Sequence, residues 1–262
     1  MISSAPTTIA TGPQSALGVI LQNSLPANGT TFTDEMLAPD ASRWFASDWN
    51  NGGYFLNGWH PNQLAFEAGQ LGITLEADTR NLTEGQPAVS GEYRTFDTYA
   101  WGRYSTRMVA SDTPGTITAF FLYTGPAEGT RHDEIDVEIK GDDPRKLSVN
   151  YWTDGVQHPT VIDLGFDASA APHDYAFEWS PTSLRWFVDG RLVHEETGTR
   201  GPLPQVPGHI VLSLWGTVGT APWSTDYQVS GTPSRMVVER IAFEAAPAAA
   251  PSKKRGRAAP SP

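Results

Sequence analysis

Short runs rich in β-branched and aromatic residues, separated by Gly, Pro, Asp and Asn, recur along most of the chain. "GQLGITLEAD" (69–78), "GRYSTRMVAS" (102–111), "ITAFFLYTG" (117–125) and "KLSVNYWTDG" (146–155) have the length and bounding residues of strands. So do "HDYAFEWSP" (173–181), "SLRWFVDGRLVHEE" (183–196), "HIVLSLWG" (209–216) and "RMVVERIAFEA" (235–245). Within 183–196, Asp189-Gly190 lies between two apolar runs, the favoured pair for a two-residue type I′ turn, and predicts a hairpin. No segment sustains a helical period, and no internal repeat is visible. The pattern predicts an all-β chain folded as a two-sheet antiparallel β-sandwich.

One further run differs from these. "RHDEIDVEIKG" (131–141) alternates carboxylates with β-branched residues. In a strand, side chains two apart share a face. Glu134, Asp136 and Glu138 therefore point one way, and Ile135, Val137 and Ile139 point into the core. Neighbouring acids start roughly 7 Å apart at their Cα atoms and the outer two roughly 13 Å apart. Side chains leaning together narrow the outer carboxyl groups to roughly 5–7 Å, and a pair at ~5–5.5 Å suits retaining glycoside hydrolysis. Crowded carboxylates also raise the proton affinity of at least one member, which a general acid requires. Calcium binding is a second reading, although a linear triple wraps an ion less well than a loop does. Incidental surface acidity is the third, and it fits poorly because no basic residue alternates with the acids to relieve repulsion.

Composition narrows the function classes. The chain has 262 residues, enough to bury a core without cross-links. Its net charge of −11 argues against a nucleic-acid or anionic-membrane partner. It has no cysteine, which excludes disulfides and thiolate catalysis, and its six histidines lack ligand spacing. No run approaches the ~18 apolar residues of a spanning helix. Residues 1–28 read as a loose N-terminal arm without the basic start of a secretory signal. Residues 247–262 read as a disordered Pro/Ala/basic tail, which leaves 29–246 as the folded unit.

The acidic run also resembles the E-x-D-x-E signature of the glycoside hydrolase family 16 jelly rolls, as "DEIDVE". The likeness continues in order through "SGEYRTFDTYAWGRYSTRM", "AFFLYTGPAEGTRHDEIDVEIKG", "VNYWTDG", "IDLGFDASAAPHDYAFEWSP", "LRWFVDGRLVHE" and "LSLWGT", which look like blocks of bacterial β-1,3-1,4-glucanases. It implies a concanavalin A-like jelly roll with a cleft on its concave face. It also implies a double displacement with Glu134 as nucleophile, Glu138 as acid/base and Asp136 coupling the two.

By the same resemblance Glu92 and Arg94 line the donor side, with Asn150 and Trp152 on a neighbouring strand. Phe121, Trp215 and Trp223 match aromatic cleft positions, and Trp49 and Asn51 match a loop at the non-reducing end. Phe120, next to Phe121, must face the core. Trp179 and Trp186 are also expected there. His132 stands where many lichenases have Trp, which changes the wall beside the nucleophile and bears on substrate choice. The two cysteines those enzymes bridge correspond to Asn57 and Ser90. A structural calcium is implied at Glu35, Gly69 and Glu239, Glu239 standing where Asp is usual, and no cofactor is implied for catalysis.

The expected activity is endo-hydrolysis of mixed-linkage β-glucan by a secreted or periplasmic monomer. "SLWGT" and "ERIAF" look more like glycanases of succinoglycan-type exopolysaccharides. A transglycosylase and a non-catalytic lectin-like jelly roll are the other readings; the lectin predicts loss of Glu134 or Glu138, and both are present.

Overall fold

The computed structural model describes residues 27–247. The expected arm and tail lie outside them except for Ala27, Asn28 and Pro247. Asn28 is already part of the folded unit, because its backbone N–H donates to Thr98 O at 3.1 Å and its Oδ1 accepts the Thr98 N–H at 2.9 Å.

The strands form two sheets. The main path of the ten-stranded sheet runs Arg191–Glu196, Leu184–Val188, His173–Trp179, Gly102–Val109, Ser234–Ala245, Gln70–Ala77, Ala88–Ser90 and Asn57–Trp59. The eight-stranded sheet runs Val156–Gln157, Lys146–Thr153, Asp133–Lys140, Thr116–Thr124, His209–Gly216, Glu92–Thr95 and Trp44–Ala46. The long strands fall where the alternating pattern puts them, and His209–Gly216 matches residue for residue. Asp189 and Gly190 both have positive φ, as a type I′ turn requires.

Within this antiparallel sandwich one pair departs locally: Asn57–Trp59 pairs in parallel with Ala88–Ser90, whereas every other pairing among the described strands is antiparallel. The two segments enter the sheet edge from the same side, across the long excursion of residues 60–87 that includes Gln70–Ala77. A hairpin geometry is therefore not required of them.

The core lies between the sheets. Ile135, Val137 and Ile139 are buried there with Phe120, Tyr104, Phe177 and Phe243. The rings of Phe120 and Phe177, one from each sheet, lie 5.4 Å apart. Each such fully buried side chain contributes about 1.5–3 kcal/mol. Trp179 and Trp186 are core residues, as expected. Trp186 also crosses the sandwich, its Nε1–H donating to Asp136 O at 3.0 Å. That bond satisfies a buried indole and ties the backbone of the acidic strand to the opposite sheet.

Candidate active site

Asp133–Lys140 lies inside its sheet, hydrogen-bonded to Thr116–Thr124 on one side and Lys146–Thr153 on the other. Glu134 is opposite Trp152 and Tyr123, Asp136 opposite Asn150 and Phe121, and Glu138 opposite Ser148 and Ala119. The rows continue across His209–Gly216, where Val211 pairs with Phe121 and Arg94, and Ser213 with Ala119 and Glu92. One sheet face thus collects the acidic triple, Phe121, Asn150, Trp152, Glu92 and Arg94. Phe120, one residue from Phe121, is fully buried on the other face.

The carboxyl groups are crowded and largely dry. Burial first, then the charge of Glu134, pushes Glu138 up to about 8, against a smaller opposing effect of Lys140. Burial, Glu134 and Glu138 hold Asp136 well above the usual carboxylate range, and a hydrogen bond with Glu134 adds to the shift. Asp136 Oδ1 is buried and has no hydrogen-bond partner among the described residues. Asn150 is buried, and its Oδ1 accepts the His158 N–H at 2.9 Å. Glu92 is buried behind the row and accepts from Ser47 Oγ at 2.6 Å, and burial raises it to about 7.

Asp133, the fourth acid of the run, does something else. Its side chain is 1% exposed. It accepts from Arg131, from the Asp154 N–H at 3.1 Å, and from the Gln205 and Val206 N–H groups at 2.7 and 3.1 Å. It gathers three chain segments at the start of the acidic strand.

His132 is drawn to Glu134 rather than standing as a bare wall. Its Nε2 lies 2.6 Å from Glu134 Oε2, and its ring stacks on Trp152 at 4.8 Å. Arg94 is committed to Glu128, to which it donates, with side-chain exposures of 12% and 14%, and its guanidinium lies 5.6 Å from the Tyr123 ring centroid.

Beyond Glu138 the same face carries an aromatic cluster. Trp215 packs against Phe55 at 4.5 Å and against Trp223 at 6.0 Å. Lys140 Nζ donates to Trp223 O at 2.6 Å and lies 5.4 Å from its ring centroid. Trp49 is exposed beside Phe45 at 6.2 Å, and Asn51 is exposed on the same loop. Ser47, Phe55, Tyr123, Glu128 and Lys140 were not singled out by the sequence. Only Glu128 had a local signal, sitting three residues after Gly125, whose N–H donates to its Oε2 at 3.0 Å.

Asn57 and Ser90, the positions of the absent cross-link, are buried and bind the strand that carries Trp215. Asn57 Oδ1 accepts the Gly216 N–H at 2.9 Å, and Ser90 Oγ donates to Leu214 O. The implied calcium set fits less well. Backbone register brings its three segments together, since Asp34 pairs with Ile241 and Val238 with Leu71. However, Glu239 Oε2 accepts from Arg107 Nε at 2.9 Å, so the one side-chain ligand is already shared with a cation. Arg107 therefore competes with an ion for the Glu239 carboxylate.

Known proteins resemble this chain in sequence and fold. Residues 51–232 match the profile of Glycosyl hydrolases family 16. The chain is 35% identical to a Beta-glucanase of Bacillus subtilis (strain 168) over 84% of its own length and 88% of the relative's. It is 38% identical to a Beta-glucanase of Paenibacillus macerans over 76% and 82%. Among solved structures it superposes on a Bacillus licheniformis beta-glucanase with a TM-score of 0.77 at 33% identity, covering 83% of this chain and 99% of that one. A laminarinase catalytic domain from Thermotoga petrophila, 20% identical with a TM-score of 0.70, shares the fold. Fold, ordered sequence blocks and the carboxyl row agree: this chain belongs to glycosyl hydrolases family 16 and is a glycoside hydrolase.

Proposed function

We propose that the chain is an endo-acting, retaining β-glucanase whose substrate is mixed-linkage β-1,3-1,4-glucan. The observation that carries this reading is the pairing of Glu134 with Glu138 on one face, with Glu138 held protonated up to about pH 8. In the first step a Glu134 carboxylate oxygen attacks the anomeric carbon, the glycosidic C–O bond breaks, and the Glu138 proton passes to the leaving oxygen. In the second, Glu138 takes a proton from water as the water oxygen attacks the same carbon, and the bond to Glu134 breaks. Two inversions give net retention. Asp136 keeps its proton between the two and steadies the charge of Glu134.

The substrate assignment rests on the β-glucanase relatives and on the aromatic positions. Trp49, Phe121, Trp152, Trp215 and Trp223 supply flat apolar surface for the C–H faces of glucose rings. A polymer of this size is met outside the cell, so the proposal includes export. Among the described residues no helix is long and apolar enough to cross a membrane. The Ser213–Thr217 and Glu239–Phe243 segments favour a second reading, an endo-glycanase of a succinoglycan-type exopolysaccharide by the same mechanism.

Reducing-end release on mixed-linkage β-glucan, laminarin, carboxymethyl cellulose, xyloglucan and succinoglycan separates these, with Glu134→Gln as the blank. Release from mixed-linkage glucan, lost in the variant, is the expected result. Activity confined to succinoglycan transfers the mechanism to the second substrate. Products longer than the substrate, seen by mass spectrometry, identify a transglycosylase. Binding without turnover on every polymer overturns the enzymatic reading in favour of the lectin.

A further inference from the structure

The contact between His132 and Glu134 does more than shape a wall. We propose that His132 is a positioning residue for Glu134, holding one carboxylate oxygen so that the other is presented to the anomeric carbon. The inference rests on reading Glu134 as the nucleophile.

The geometry is specific. His132 Nε2 and Glu134 Oε2 are 2.6 Å apart. An ionised carboxylate only accepts hydrogen bonds, so a nucleophilic Glu134 requires the proton on Nε2. The result is a charge-assisted bond, the shorter and stronger class. The imidazole is itself held on two sides. It stacks on Trp152 with planes 23° apart, and Tyr123 lies 5.5 Å away at 56°. These are the two residues directly across the sheet from Glu134. The His132 backbone is fixed as well, its carbonyl accepting the Gly155 N–H at 3.0 Å. One Glu134 oxygen is thereby held by a ring that is itself fixed, which is how orientation lowers a barrier.

The two chemical steps feel this donor differently. When the bond from Glu134 to the anomeric carbon forms, the carboxylate becomes an ester and its charge is lost. Nε2–H then faces a neutral oxygen. When water attacks, the bond between the anomeric carbon and the Glu134 oxygen breaks, the electron pair returns to Glu134 and the charge-assisted bond is restored. The donor therefore contributes most to the second step, where charge grows on the carboxylate. A sugar-contacting wall would act on binding and leave that step alone.

The test uses two variants of the full chain, His132→Phe, which keeps a ring between Trp152 and Tyr123, and His132→Gln, which keeps an N–H donor. Each is assayed on a dinitrophenyl glycoside of the oligosaccharide that the parent releases, where departure is easy and the second step limits. We expect His132→Phe to lower kcat about tenfold or more with KM unchanged or lower, because the glycosyl-enzyme accumulates. His132→Gln should retain kcat within about threefold. Reactivation of enzyme trapped by a donor fluorinated next to the anomeric carbon should slow in parallel with kcat. If His132→Phe stays within about twofold of the parent, raises only KM, or is matched by an equally slow His132→Gln, the inference is overturned. Peptide mapping of the trapped ester keeps the failures apart. An ester on a residue other than Glu134 removes the proposed mechanism, whereas an ester on Glu134 with a flat His132→Phe removes only the role of His132.

Discussion

Glu138→Gln should make the protein more stable at neutral pH while abolishing its activity on polymer. Glu138 titrates near 4.5 in an unfolded chain and is pushed up to about 8 in the fold. Between these values the unfolded chain has released a proton that the folded protein keeps, so stability falls as pH rises from about 4.5 to 8 and levels off above. At about pH 7 the unfolded carboxylate lies roughly 2.5 pH units past its midpoint, and at ~1.4 kcal/mol per unit the linked cost is about 3 kcal/mol. Gln has no proton to lose and nearly the same shape, but its amide also needs an acceptor, so the net gain is taken as about 2 kcal/mol. For a folded unit of this size that raises Tm by ~4–8 °C. The assay is thermal unfolding of parent and variant from about pH 4 to 8. At the acid end only the amide penalty of about 1 kcal/mol remains, so the variant should melt slightly below the parent there, and the gap should change sign and open steadily above about pH 4.5. A gap of the same size at both ends would refute the argument, since only a proton-linked cost varies in this way.

Two other substitutions test neighbouring parts of the site. Lys140 is the cation that lowers Glu138, so Lys140→Met should move the alkaline fall of kcat/KM from about pH 8 upward; a limb that stays or moves down contradicts the assignment of Glu138 as the acid. Asp133→Asn leaves the triple untouched but turns an amide towards donors from Arg131, Asp154, Gln205 and Val206. It should cost about 3 kcal/mol in urea unfolding while the folded fraction keeps kcat within about threefold, and an unchanged urea midpoint would show that the knot is dispensable.

Much of the fold was legible because its long strands announce themselves. A run such as Asp133–Lys140 has one face that only a core accepts and another that only water or a ligand accepts, so period two fixes which side chains meet. The same logic separated Phe120 from Phe121, and Asp189-Gly190 named its own turn. The three-residue strands Asn57–Trp59 and Ala88–Ser90 carry too few residues for alternation, and they exist because a neighbouring edge receives them. The site divides in the same way. The triple was legible from local spacing. The Ser47–Glu92 contact spans 45 residues, Arg94–Glu128 spans 34 and Lys140–Trp223 spans 83, and only the closed sandwich brings them together. Glu239 shows the opposite limit, since the resemblance marks its position while only the fold reveals Arg107 beside its carboxylate.

The acidic strand has a consequence for how such a protein can change. Both its edges are hydrogen-bonded, and its carboxylates alternate with core residues one by one. Inserting or deleting a single residue within it reverses the facing of every residue on one side of the change, so acids and core residues there exchange places unless a β-bulge takes up the difference. Substitution on its outer face is the variation the strand absorbs at least cost. Even its C-terminal flank is tied down, because Gly141 N–H donates to Thr116 O and the Asp142 carboxylate accepts from Gly115, Ser224 and Thr225. New specificities are therefore most easily built from the loops and the outer-face side chains, and a change in the spacing of the triple requires a bulge that re-aims one of its acids.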